Sequence, residues 1–183
     1  MSDILPLGDP RLRRVSAAVS LGDKDVHTHF SDLAAALAAF RTVHGWGRAV
    51  ALPQLGVAKR IIAFDIGSGP FFAINPVVEW MSPDSFEVWD DCMCLPEVAV
   101  RVRRHRSLTL SYLDERLRPE QMELVPEALS ELIQHEMDHL DGVLLTDRML
   151  PEWGIVARSV RAIAEPLAPA GVQRADALAM QRW

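Results

Sequence analysis

Residues 126–142 read Pro126-Glu-Ala-Leu-Ser-Glu-Leu-Ile-Gln-His135-Glu136-Met-Asp-His139-Leu-Asp-Gly142, and this stretch decides how the rest of the chain is read. Proline is favoured where a helix opens and glycine where one stops, so the bounds of a helix are written into its two ends. Between them Ala128, Leu129, Leu132 and Ile133 recur at helical spacing as one apolar stripe. Glu136 lies four positions after Leu132 and three after Ile133, and His139 lies four after His135, so three ionisable groups continue a face meant for the core. Burying such groups without a partner costs on the order of several kcal/mol each. A metal ion gripped by the two histidines, with a bound water for the glutamate, removes that cost.

Two imidazoles do not complete a catalytic metal site, which takes three protein ligands and keeps one position open. A third histidine at the metzincin spacing is excluded, because that position is Leu145. Two sources remain. Glu152 and Glu165 are downstream carboxylates of the kind a gluzincin-type peptidase uses. Upstream, Cys92 and Cys94 stand in Asp90-Asp91-Cys92-Met93-Cys94-Leu95-Pro96, and a two-histidine, one-thiolate site would suit Fe²⁺, Zn²⁺, Co²⁺ or Ni²⁺. A further segment, Gly47-Arg48-Ala49-Val50-Ala51-Leu52-Pro53-Gln54, ends in a glutamine whose amide can donate to a developing oxyanion or simply sit in a loop.

Working outward, a first amphipathic helix is expected from about Asp25 to Val43, on Phe30, Leu33, Leu37 and Phe40, stopped by His44-Gly45-Trp46-Gly47. Residues 6–15 read as an extended arm. Strands are expected at Val57–Phe64, Phe71–Ile74, Val77–Trp80, Val98–Val102 and Ser107–Leu113. A third helix is expected from about Pro151 to Ala164 on Ile155, Val156, Val160 and Ile163. Helix, several strands, helix is an α+β order: antiparallel strands around a central helix carrying the two histidines, flanked by an N-terminal and a C-terminal helix. One domain over residues 1–165 with a tail at 166–183 follows from 183 residues.

The remaining composition narrows the class. An apolar fraction of 49% against 24% charged argues for a folded globule rather than disorder. Two cysteines cannot make a disulfide framework. A formal charge of −6 disfavours DNA and anionic membranes as partners. No signal-like opening and no run of roughly 18 apolar residues point to a soluble, cytoplasmic protein.

Taken in order, the three segments resemble the peptide deformylase family, whose motifs read roughly G-x-G-L-A-A-x-Q, E-G-C-L-S and H-E-x-x-H. The third is met in full. The opening Gly8-Asp9-Pro10-Arg11-Leu12-Arg13 and Ile74-Asn75-Pro76 are also similar, and the likeness covers about residues 5–150. The resemblance implies metal ligation by Cys92, His135 and His139, with Glu136 as the catalytic acid/base. It implies oxyanion binding by Gln54 and the Met93 backbone N–H, and a substrate groove at Gly47, Arg48, Ala49 and Val50. It implies one divalent metal, Fe²⁺ natively with Zn²⁺, Ni²⁺ or Co²⁺ as alternatives. The implied reaction removes the formyl group from N-formylmethionyl ends of new polypeptides, with the nascent peptide or a small formylated compound as partner and a transient ribosome contact. Motifs one and two depart from the family: Ala49, Val50 and Leu52 replace glycine, leucine and alanine, and Asp90, Asp91, Met93 and Cys94 replace glutamate, glycine, leucine and serine. These departures fall on the groove rather than on the donors, so a different N-formyl or N-acyl substrate is the alternative. Arg48 in that groove points to a more acidic or polar acyl group, or to a solvated side chain. Cys94 raises the question of a second ligand or of an oxidised pair with Cys92.

Overall fold

The computed structural model describes residues 4–20, 22–67, 69–151 and 153–160, and the backbone of 172–174. Its order begins with α1 (Val26–His44) and β1 (Ala49–Ala51), followed by β2 (Ile61–Phe64), β3 (Phe71–Met81), β4 (Ser85–Asp90) and β5 (Val98–His105). Then come β6 (Leu108–Leu113), β7 (Pro119–Met122), α2 (Glu127–Leu140), β8 (Ile155–Ala157) and β9 (Val172–Arg174). One sheet runs β1-β2-β3-β6-β7 and is antiparallel throughout. The other runs β8-β5-β4-β9, with only β9 joining in parallel.

The run Ile61-Ile62-Ala63-Phe64 is wholly apolar because both faces of its strand are covered. Ile61 and Ala63 pack toward α1 with Leu33, Leu37 and Phe40. Ile62 and Phe64 pack toward α2 with Leu129, Leu132 and Ile133. The second sheet closes a third apolar cluster around Phe86, Val88, Val100 and Val102, which also takes in Cys92, Cys94 and Leu12. α2 touches β1 on one side and β5 on the other, so almost its whole circumference is buried. That placement puts its polar residues against other protein rather than water.

Local chemistry sets the ends of both helices. Gly45 stops α1 at φ 75°, a left-handed angle that glycine adopts at no steric cost. Gly142 follows α2 at φ 71°, and a Cβ there would stand 2.6 Å from the Arg13 carbonyl oxygen. The opening arm can therefore lie directly against the turn after α2, where Ser16 N donates to Leu140 O at 2.8 Å.

The α+β architecture matches expectation, but several elements differ. Pro126 caps α2 from outside rather than standing in its first turn. The extended arm carries a short 3₁₀ turn at Pro10–Arg13, capped by Asp9. Val57–Arg60 precede the strand instead of belonging to it, and β3 is one bulged strand across Asn75 rather than two. The expected helix over 151–164 does not form in its described part. Ile155–Ala157 instead pair with Val98–Val100 as an edge strand, and a 3₁₀ turn follows at Arg158–Val160. Hydrogen bonding to β5 decides this, not the spacing of Ile155, Val156 and Val160. Glu152, Glu165 and most of the 166–183 tail lie outside the described residues. No described helix is long and apolar enough to cross a membrane.

Candidate metal centre

α2 delivers Glu131, His135, Glu136 and His139 from consecutive turns, all of them buried. The segment between β4 and β5 brings Cys92, Met93 and Cys94, and the 3₁₀ turn Leu52–Leu55 brings Gln54. The Cys92 Sγ lies 3.2 Å from His139 Nε2. The two imidazoles are edge to face at 5.1 Å between ring centres. The Sγ atoms of Cys92 and Cys94 and a ring nitrogen of His139 all lie within 4.8 Å of one another, a set able to hold a metal ion. The structure places the Cys92 thiol against His139 of the late helix and adds Cys94, while His135, expected as a third donor, is not in that set and instead contacts Asp90.

A charged chain of contacts stands behind His135. The His135 Nδ1 contacts Asp90 Oδ2 at 3.0 Å, and the same oxygen accepts from Arg104 Nη2 at 3.0 Å. Arg104 Nη1 donates to Asp138 at 2.6 Å, and Arg148 donates to Asp138 at 2.7 Å. An acceptor on Nδ1 orients the ring and leaves Nε2 for a ligand. Burial alone would push His135 down, but the Asp90 carboxylate outweighs it and raises the pKa to about 9, so a metal competes with a proton there. Burial and the neighbouring His135 drive His139 well below the ordinary histidine value, which keeps it neutral and ready to ligate.

Glu136 is 2% exposed, and burial raises its pKa to about 7. A carboxyl poised near neutrality can both take and return a proton. Its Oε2 has no hydrogen-bond partner among the described residues, as expected of an oxygen that waits for a water or a substrate proton. Gln54 is oriented by Ala51 N, which donates to its Oε1 at 2.7 Å; its Nε2 faces Cys94 Sγ at 3.5 Å and Cys92 Sγ at 3.9 Å.

A cavity of about 630 Å³ opens beside these groups, lined by Gln54, Met93, His135 and Glu136 together with Gly47, Arg48 and Ala49. Val50, expected in the groove, is instead fully buried in the α1 core, because alternation along β1 turns it to the opposite face. Arg48 is not a solvated side chain: Nη2 donates to Glu131 at 2.9 Å and Nη1 to the Ala128 carbonyl at 3.3 Å. Arg158 contributes from beyond β8, stacked 3.8 Å over the Trp46 ring and paired with Asp91 at 2.6 Å.

Four contributors escape a reading of the sequence. Glu131 had a signal, an acid one turn before His135 on the buried stripe. Asp90 was visible only as a motif position. Arg104 gave none, since nothing local separates it from the basic run around it, and Arg158 gave none in a segment read as a helix.

The family model for polypeptide deformylase matches residues 1–152. A peptide deformylase of Thermotoga maritima is 30% identical over 158 residues, covering 86% of this chain and 93% of the relative. One from Acetivibrio thermocellus is 34% identical over 146 residues, with 78% and 80% covered. The crystal structure of a peptide deformylase from Synechococcus elongatus in complex with actinonin superposes with a TM-score of 0.74 at 32% identity, covering 82% of this chain and 79% of that one.

Proposed function

The chain belongs to the peptide deformylase family, and on that premise we propose that it hydrolyses the N-formyl group from N-formylmethionyl peptides of newly made proteins. The observation that carries the reading is Glu136: a buried carboxyl beside the imidazole pair and lining the cavity, with an oxygen that has no hydrogen-bond partner among the described residues. The donors suit a divalent metal, since one thiol and two imidazoles are the borderline-soft set that Fe²⁺, Zn²⁺, Ni²⁺ and Co²⁺ accept. Cys92, His135 and His139 would hold it, with Fe²⁺ as the native ion. When bound, such an ion lowers the pKa of water toward neutrality and polarises the formyl oxygen.

The residues supply the rest. Asp90 fixes the His135 ring, so the Nε2 direction is set before substrate arrives. Glu136 takes the proton of the attacking water and returns it to the leaving amine, so the carboxyl ends each turnover as it began. The Gln54 amide and the Met93 N–H stabilise the oxyanion, a contribution of roughly 3–4 kcal/mol for a well-placed donor. Gly47, Arg48 and Ala49 form the wall against which the peptide lies. Such a role places the protein in the cytoplasm, in brief contact with ribosomes that present the nascent end.

A second reading, hydrolysis of another N-formyl compound, is favoured by one observation: the cavity wall holds a paired arginine and glutamate. Freshly prepared iron protein assayed anaerobically on formyl-Met-Ala-Ser, beside a panel of other formylated compounds, separates the two. Metal-loaded protein inert on the formylmethionyl peptide would sink the first reading. Glu136→Gln is expected to abolish turnover while retaining metal, and unchanged turnover would remove Glu136 from its role.

A further inference from the structure

Glu136 aside, the charged side chains that line the cavity are matched by opposite charges. Arg48 faces Glu131, Arg158 faces Asp91, and Arg41 pairs with Asp65. Asp90 is shared by Arg104 and His135. One acceptor is left over. The Glu131 side chain is 1% exposed, and its Oε2 accepts from Arg48 Nη2 at 2.9 Å, whereas its Oε1 has no hydrogen-bond partner among the described residues. An ion pair that served folding alone would have both oxygens satisfied, because an unpaired buried acceptor is costly. Arg48 is anchored on its other side by the Ala128 carbonyl at 3.3 Å, and its guanidinium has further N–H groups to offer. A second cavity of about 240 Å³, lined by Ile66, Ala128 and Leu129, shares Arg41, Arg48 and Leu132 with the first. The two adjoin at those side chains, so the anchored Arg48 is a wall common to both.

We propose that Arg48 and Glu131 are specificity-determining residues that read the side chain next to the formyl group, and that they favour a neutral side chain with both a donor and an acceptor: a carboxamide of glutamine length. The proposal rests on the reading of this cavity as a site of formyl hydrolysis, and it gives the second substrate reading its chemical class. The carboxamide N–H donates to Glu131 Oε1 while its oxygen accepts from Arg48, so the leftover acceptor gains a donor and no ion pair is broken. Glutamine has the reach of methionine, so the formyl carbon keeps its place beside Glu136. An apolar side chain leaves Oε1 unpaired and strips water from the pair, which is how a hydrogen-bonding site rejects an analogue that lacks the polar group. A carboxylate competes with Glu131 for Arg48, and an ammonium stands against Arg48, so either sets a like charge in a buried pair.

The test is kcat/KM of freshly prepared, metal-loaded protein on formyl-Xaa-Ala-Ser, with glutamine, methionine, leucine, glutamate or lysine as Xaa. Glutamine is expected to exceed leucine, glutamate and lysine by about tenfold or more, the effect of one hydrogen bond to a charged group. In Arg48→Met/Glu131→Leu the glutamine-to-methionine ratio should fall by about tenfold or more, with metal content unchanged. The wild-type panel decides the matter even where the double variant fails to fold. A smaller advantage over leucine, glutamate or lysine ahead of glutamine, or a ratio unmoved in a folded double variant overturns the proposal and leaves formyl hydrolysis standing. Turnover of the glutamine peptide without turnover of the methionine peptide supports it. Protein that retains metal but is inert on the whole panel overturns the reading of the site, and the proposal with it.

Discussion

Replacing Arg48 by methionine removes the cation from beside a carboxylate that is almost wholly buried. The Glu131 side chain is 1% exposed, its Oε2 accepts from Arg48 at 2.9 Å, and its Oε1 has no hydrogen-bond partner among the described residues. Breaking a buried pair from one side costs about 3–5 kcal/mol. The carboxyl limits the loss by taking a proton. Burial already raises Glu131 above the ordinary glutamate range, with Arg48 the first influence opposing it, so removal of Arg48 raises it further. A group whose pKa is higher folded than unfolded contributes stability below its unfolded pKa and loses it as pH rises through the folded value. The penalty of Arg48→Met should therefore be smaller at pH 6 than at pH 8.5, changing by up to about 1.4 kcal/mol per pH unit while the group titrates.

The reverse substitution is milder. Arg48 keeps 21% of its side chain exposed, and its stem can carry the guanidinium to water, so Glu131→Leu should cost about 1–2 kcal/mol. The double variant Arg48→Met/Glu131→Leu replaces charge with apolar volume and should lie within about 1 kcal/mol of wild type or above it. Urea unfolding of the four proteins at both pH values gives the cycle directly. If Arg48→Met costs under about 1 kcal/mol at pH 8.5, or the same at both pH values, the pair is not the buried unit described. Because both residues stand at the cavity, the double variant should also shift selectivity on formylated peptides toward apolar first side chains.

Asp90→Asn, which weakens the acceptor on His135 Nδ1, should lower metal affinity about 10–100-fold in competition with a chromophoric chelator, and unchanged affinity would remove Asp90 from its orienting role. Asp147 is held below the usual carboxylate range first by its hydrogen bond from Arg13, which ties the opening arm to the turn after α2. Its stabilisation is present above the unfolded pKa and lost as pH falls through the lower folded one. The difference between wild type and Asp147→Asn, at most about 1 kcal/mol for so exposed a pair, should vanish in acid unfolding curves. Leu33→Ala, in the α1 core, should cost about 2–5 kcal/mol in urea while leaving metal stoichiometry unchanged, and loss of the metal would show that α1 shapes the centre.

The residues that do the chemistry and the residues that tune it differ in how far apart their partners lie. His135, Glu136 and His139 are legible because a helix puts neighbours in sequence next to each other in space, and a polar group on an apolar stripe stands out at once. The same locality made Glu131 readable in principle. Arg48 was ambiguous because its partner lies 83 residues away, and Asp90 meets His135 across 45. No local pattern distinguishes an arginine bound to a buried acid from one in water. The segment 151–160 failed for a related reason, since Ile155 and Val156 form hydrogen bonds with β5, and a free sheet edge outweighs a weak helical spacing. Cys92 and Cys94 fall between the extremes: their separation by one residue was plain, but whether both sulfurs turn to the same imidazole depends on a turn held by Leu7 from the opening arm. Donor identity is thus written locally, while protonation, pocket polarity and the grouping of the sulfurs are set by contacts that only the folded chain makes.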